Sequence, residues 1–280
     1  MITVGRQGVV LVGTLVIVAS VVLAALAPAL APVDPIRNDL LARLAPPMWM
    51  EGGSARHPLG TDTLGRDVVS RLLYGARVSL LVGFAAVLVA GVVGVALGLV
   101  AGYYGGRLDD LLMRVGDVQL AFPVLVLAIA VLSVLGASLG NVIIVLGLTG
   151  WVTYARITRA ETLSLRHRDF VEGARALGAR DAAILWRHIL PNVLPPITVV
   201  ATFSVARTII AEASLSFLGL GIPPPAPSWG AMLDEGRNYL TTGWWLALFP
   251  GLAILALVLG INLVGDWLRD ALDPRVERGM

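Results

Sequence analysis

EGARALGARDAAILWRHILPN, residues 172–192, is the longest polar interruption in the apolar second half of the chain, and it lies between two membrane-length runs. Asp169, followed three residues later by Glu172, reads as a capping box opening a helix. Phe170, Ala174 and Leu177 then share one helical face. Gly178 supplies the stop, since glycine reaches the left-handed conformation that helix ends often use. Asp181 reads as the cap of a second short helix through Leu190, and Pro191 ends it because the residue before a proline disfavours helical geometry. The loop 169–192 is therefore predicted as two short amphipathic helices with a glycine hinge, a shape that suits docking into another protein's groove.

Composition sets the class of everything around that loop. Of 280 residues, 57% are hydrophobic and 14% charged, and the mean hydropathy is +0.82. No ordinary soluble domain has that balance. Every basic side chain is an arginine. Without lysine there is no GxxxxGK[ST] phosphate loop, so the chain is not itself a P-loop ATPase. With no cysteine, disulfides, iron–sulfur ligation and thiol nucleophiles are excluded. The three histidines are far apart, and no GxSxG or HExxH pattern occurs, so no catalytic residue is predicted. A net charge of +2 on scattered arginines gives no basis for nucleic-acid binding.

Outward from the loop, a span is expected near 140–158 before it, with Trp151 and Tyr154 toward its end. Another near 194–216 follows it, opening on Pro195 and Pro196, which a helix's first turn tolerates. The last span runs near 246–267. Upstream, a third span near 119–136 follows a polar link at 102–123, where Asp117 reads as an interfacial cap. The second, 79–101, carries Ala90, Gly94, Gly98 and Gly102 on one face, a stripe that reads as a close helix–helix seam with a pore-lining role as the alternative. The first apolar run, 8–30, competes with a cleaved signal peptide because small residues precede Pro32. Its roughly 20 apolar residues exceed a signal's apolar region and suffice to span. Trp229, Trp244 and Trp245 suit an interfacial belt.

The whole is an all-α integral membrane protein of six transmembrane helices. Residues 1–31 form an N-terminal transmembrane helix, 32–76 an extracytoplasmic linker with short surface helices, 77–268 the core and 269–280 a cytoplasmic tail. His57, Thr61, Asp62 and Asp67 in the linker invite a metal site. A lone histidine among scattered carboxylates reads instead as capping and turn chemistry, so no metal is expected. Six spans put both termini on one side, and thirteen of the twenty-one arginines then share the side of the 169–192 loop. That bias makes the side cytoplasmic. Six arginines in the linker oppose it, but acidic residues accompany them and long loops weigh less.

Two ionisable residues fall within the fifth span. A charge at mid-bilayer costs roughly 2.5–3.5 kcal/mol on insertion scales, so Arg207 and Glu212 should each face protein or a watery cavity. Five residues apart, they point in different directions. Arg207 reads as a candidate for a substrate carboxylate and Glu212 for an outer gate or a substrate amine. The alternative for both is a structural role.

The order Glu172, Ala174, Gly178, Leu190, Pro191 resembles the cytoplasmic coupling loop of ABC-importer permeases. Gly173 replaces the usual second alanine, and His188 stands where isoleucine is common. HPLGTDTLGRDVVSRLLYGARVSL (57–80), the AFP at 121–123, EASLSFLGLG (212–221), PSWG (227–230) and LRDALDPR (268–275) resemble the dipeptide/oligopeptide branch, specifically its second permease. That branch also includes nickel and glutathione systems. The resemblance implies a type I importer permease fold and coupling to ATPases through Phe170, Glu172, Ala174, Leu177, Gly178, Leu190 and Pro191. It also implies a second homologous permease, two ATPase subunits that bind the ATP and magnesium, and an extracytoplasmic solute-binding protein. The rival class is a proton-coupled secondary transporter using Glu212 or Asp117. No internal inverted repeat supports it, and a large docking loop has no task there.

Overall fold

The computed structural model describes residues 2–272, with side chains from Gly8 onward. The tail expected at 269–280 therefore lies largely outside the described residues, as do Arg275, Arg278 and the side chain of Arg6.

The first apolar run forms α1 (Ile2–Ala25), and Pro28 sits in the first turn of the short α2 (Ala27–Leu30). A long connection follows, with one 3-10 turn at Leu40–Ala42 as its only regular piece before α3 (Val68–Tyr104). At 37 residues α3 is about 55 Å long, well beyond a hydrocarbon core of about 30 Å. It starts upstream of the expected linker–core boundary at 76/77 because Asp67 caps it, accepting from the Ser70 amide at 2.8 Å. The other Asp67 oxygen lies 3.0 Å from His57 Nδ1.

The expected polar link at 102–123 is instead mostly helix. α4 (Gly106–Leu120) is amphipathic, and α5 (Val124–Leu135) follows after an 88° bend at the break. Twelve residues rise only about 18 Å, so α5 cannot span alone, and the third span expected near 119–136 is not one rod but falls on a bent pair of helices. The polar face of α4 binds α6 (Leu139–Leu165): Arg159 Nη2 donates to Asp109 Oδ2 at 2.6 Å, and Arg156 pairs with Asp117 at 2.5 Å. Asp117 is thus an ion-pair partner and not the cap expected of it. Ser138 caps α6 through the Asn141 amide.

The small-residue stripe of α3 is the seam with α6. A Cβ on Gly94 would lie 2.4 Å from the Trp151 carbonyl oxygen, one on Gly98 2.5 Å from that of Ala155, and one on Gly102 2.7 Å from Thr162 Cβ. Backbones this close gain dispersion contacts that larger residues would prevent.

After α6 come α7 (Asp169–Ala176), α8 (Asp181–Ile184), a π-helical turn at Leu185–Ile189 and α9 (Leu190–Phe217). α10 (Trp229–Gly236) and α11 (Trp245–Ala271) complete the described chain. Five of these helical stretches are long and apolar enough to cross a membrane, or six if the bent pair counts as one span. α1 packs along α11, where a Cβ on Gly13 would lie 2.9 Å from the Gly260 oxygen.

The linker is folded onto α10 by buried charge. Arg71 Nη1 and Nη2 reach the Glu235 carboxylate at 2.6 and 2.9 Å, and Arg66 Nη2 adds a third bond at 2.9 Å. Asp62 accepts from Arg66 Nε at 2.6 Å and also pairs with Arg71. His57, Thr61, Asp62 and Asp67 are therefore engaged in capping, turns and ion pairs. Trp229 and Trp245 are corrections to the expected belt: both are buried. Their indole N–H groups donate to the carbonyls of Leu72 at 3.0 Å and Thr61 at 3.1 Å, holding α10 and α11 to the linker and α3.

Candidate functional site

The loop 169–192 is built from inside outward. Val171, Ile184 and Ile189 have no exposed surface and anchor it to the span core. Phe170 and Glu172 face out, Ala174 packs partly against the core, and Leu177 is 90% exposed. The expected capping box is not made. Arg168 occupies the N-cap without a side-chain bond, and Asp169 and Glu172 lie inside the first turn, where their charge complements the helix dipole. Gly178 does end the helix, at φ +81°. The Ala179 amide donates to the Ala174 carbonyl at 3.1 Å and the Gly178 amide to that of Arg175 at 3.0 Å, the paired bonds of a Schellman motif.

Pro191 does not end the second helix, contrary to expectation. The chain runs on helically from Asp181 to Phe217, with the Leu190 amide bonded five residues back to the Leu185 carbonyl. A proline has no amide to offer and its ring crowds the carbonyl four residues before it. The wider π turn accommodates both, and Pro191 falls in the first turn of α9. Leu190 is half-buried and Pro191 exposed. Three residues not singled out in the sequence tie the loop to α3. The Tyr103 hydroxyl donates to Asp181 Oδ1 at 2.7 Å, and the Arg175 guanidinium lies 5.9 Å from the Tyr103 ring centre. Arg166 Nη1 adds a bond to the Gly102 carbonyl at 3.1 Å.

The second feature is a cavity of about 190 Å³ between α3, α6 and α9 and the α4–α5 bend. Arg207 is exposed and lines it with Thr149, Thr153, Ser204 and Thr208. Among the described residues Arg207 has no hydrogen bond or ion pair. Its guanidinium is free to meet an anionic group from outside the chain. Glu212 is placed elsewhere, with no exposed surface, in the packing of α9 against α3 and α10. Its Oε1 accepts from Ser216 Oγ at 2.8 Å, and Ser79 and Ser228 stand close by. The structure does not bring Arg207 and Glu212 together, nor either of them to the loop 169–192.

A multi-pass chain with an internally anchored loop presented outward, and without a nucleotide loop of its own, has the form of a transporter's membrane subunit. Residues 94–278 match the family described as the binding-protein-dependent transport system inner membrane component, and the chain belongs to it. It is 45% identical to the di/tripeptide transport system permease protein DppC of Pseudomonas aeruginosa over 265 residues, 95% of this chain and 88% of that protein. It is also 48% identical over 227 residues to the glutathione transport system permease protein GsiD of Pectobacterium atrosepticum, covering 81% and 75% of the two. A chain of the inward-facing MetNI methionine ABC transporter superposes with a TM-score of 0.58 at 20% identity, covering 72% of this chain and 96% of that one. That likeness carries the fold alone. Family membership decides against the self-sufficient secondary transporter.

Proposed function

We propose that this chain is a permease subunit of an ATP-driven ABC importer of short peptides and supplies half of the translocation path. The observation that carries the coupling role is the loop 169–192, pinned from within by Val171, Ile184 and Ile189 while Phe170, Glu172 and Leu177 face outward. Gly178, Leu190 and Pro191 shape the element and Ala174 seats it. The arginine distribution supports a cytoplasmic position for this loop and for both termini. Two cytoplasmic ATPases, which bind the ATP and magnesium, dock there. A second permease completes the path, and an extracytoplasmic binding protein delivers substrate.

Short peptides are favoured by the relatives' names: the bacterial relatives above are described as serving di/tripeptides and glutathione, itself a tripeptide. All such substrates carry carboxylates, and Arg207 offers a free guanidinium among hydroxyl groups. Glu212 acts on the path indirectly by holding α10 against α3 and α9. The test is a tagged pull-down from gently solubilised membranes, with uptake of a labelled dipeptide in the presence of excess glutathione or nickel. Wild type should bring down a second permease and ATPases, and Glu172→Arg and Gly178→Pro should lose the ATPases while keeping the permease. Isolation of the chain alone with uptake intact would refute the coupling role. No dipeptide uptake by a complex that assembles and hydrolyses ATP would refute the substrate.

A further inference from the structure

A cavity of about 680 Å³ lies where the end of α2, the residues after it, the first turns of α3 and the segment before α10 meet. Its volume is in the range of small-molecule pockets. Its depth is fixed by the two apolar runs that flank it. The first run ends at Ala31, and the apolar stretch of α3 begins just after Arg77. The cavity therefore straddles the boundary between hydrocarbon and headgroups. Its walls divide accordingly. Pro28, Ala31, Val78 and Leu81 line the apolar side, whereas Asp34, Tyr74 and Arg77 supply the polar groups.

The polar groups are poised for a ligand of two charges. The Arg77 guanidinium is exposed, stands 5.8 Å from the Tyr74 ring centre, and has no ion pair among the described residues. Stacking on the ring restricts the guanidinium and leaves its N–H edge for a phosphate. Asp34 uses Oδ1 to close a local turn on the Ile36 amide at 3.0 Å and has no cation partner among the described residues. The Val33 amide donates to Ser70 Oγ at 3.2 Å, which ties this segment to the first turn of α3 and keeps Asp34 beside the cavity.

We propose that this cavity binds a zwitterionic phospholipid bearing a primary amine, with its phosphate on Arg77, its ammonium on Asp34 and its upper acyl chain along Val78 and Leu81. A simple anion site would not line the same cavity with a carboxylate as well as an arginine, and a purely apolar helix contact would leave both charges unpaired in a dry interface. The inference does not depend on what the chain transports.

The experiment is native mass spectrometry of the assembled transporter, washed in detergent and then offered equal amounts of phosphatidylethanolamine and phosphatidylglycerol. Wild type should retain phosphatidylethanolamine. Arg77→Gln should lose the retained lipid, and Asp34→Asn should keep a lipid but lose the preference for phosphatidylethanolamine. Both residues are exposed, so neither change threatens folding. Equal lipid retention by wild type and Arg77→Gln overturns the proposal. Loss of a protein subunit from Arg77→Gln with lipid unchanged also overturns it and makes the cavity a protein interface.

Discussion

The hydroxyl of Tyr103, at the end of α3, donates to Asp181 at the start of α8 across 78 positions of sequence, at 2.7 Å. Arg175 of α7 covers the same ring. One aromatic side chain thus touches both α7 and α8 and belongs to the helix that forms the glycine seam with α6. A displacement of the loop must either carry α3 with it or break this bond.

Tyr103→Phe keeps the ring under Arg175 and removes only the hydroxyl. The expected outcome is a reconstituted complex that assembles normally and hydrolyses ATP but transports roughly two- to tenfold less substrate per ATP, the range expected from the loss of one hydrogen bond. Transport per ATP equal to wild type would show that the bond does not carry the motion.

The buried ion pairs joining the linker to α10 give a second prediction. Side-chain exposure is 4% for Arg71 and 27% for Glu235. Arg71→Met should destabilise the protein by about 1–3 kcal/mol, because it leaves Asp62 and Glu235 to share Arg66 alone, one negative charge in excess in a largely buried site. Arg71→Met with Glu235→Leu removes both charges, while Asp62 and Arg66 remain paired with each other. The double variant should therefore unfold at a higher temperature than the single one. Scanning fluorimetry on the purified subunit checks the order, and a double variant less stable than the single would contradict it.

The α3–α6 seam predicts a contrast between neighbouring glycines. A Cβ on Gly98 meets backbone at 2.5 Å, whereas one on Gly91 meets only a Tyr154 ring atom at 3.9 Å. Gly98→Ala should push the helices apart at about 1–3 kcal/mol and lower the yield of folded subunit. Gly91→Ala should be neutral or stabilising by up to about 1 kcal/mol, since alanine is the better helix former. Equal yields from the two variants would mean that the seam tolerates a wider spacing.

These contrasts mark what the sequence makes legible. The Ala90, Gly94, Gly98, Gly102 stripe repeats with the helical period, and Gly178 is the residue a left-handed stop requires, so both could be read directly. Pro191 could not, because its effect depends on whether the preceding turn widens, and a π turn has no local signature. α4 looked like a polar link because charged residues such as Asp109 and Asp117 interrupt it, and the partners of those two, Arg159 and Arg156, lie in another helix. Trp229 and Trp245 looked interfacial for a similar reason: the carbonyls that satisfy their indoles are 157 and 184 positions away. The Arg71–Glu235 contact spans 164 positions and carries no pattern at all. The helical period and the glycine stop were visible; the N-caps expected at Asp169 and Asp181, which fall on Arg168 and Arg180 instead, and the polar contacts between distant segments were not.

The last prediction concerns Arg207, whose chemistry the sequence indicated and whose surroundings only the structure supplies. If its guanidinium meets the carboxylate of a passing peptide, the benefit must depend on that carboxylate. Wild type should transport a dipeptide faster than the same dipeptide with an amidated C-terminus. In Arg207→Gln the absolute rate should fall by about tenfold and the ratio between the two substrates should shrink toward one, since a charge-assisted bond is worth roughly twice a neutral one. The binding protein imposes its own preference, but it is the same protein in both assays and cancels from the comparison between variants. Arg207→Lys keeps the charge without the planar fork and should fall between the two. A ratio unchanged by Arg207→Gln, with assembly and ATP hydrolysis intact, would remove Arg207 from contact with the carboxylate and leave it facing the partner subunit.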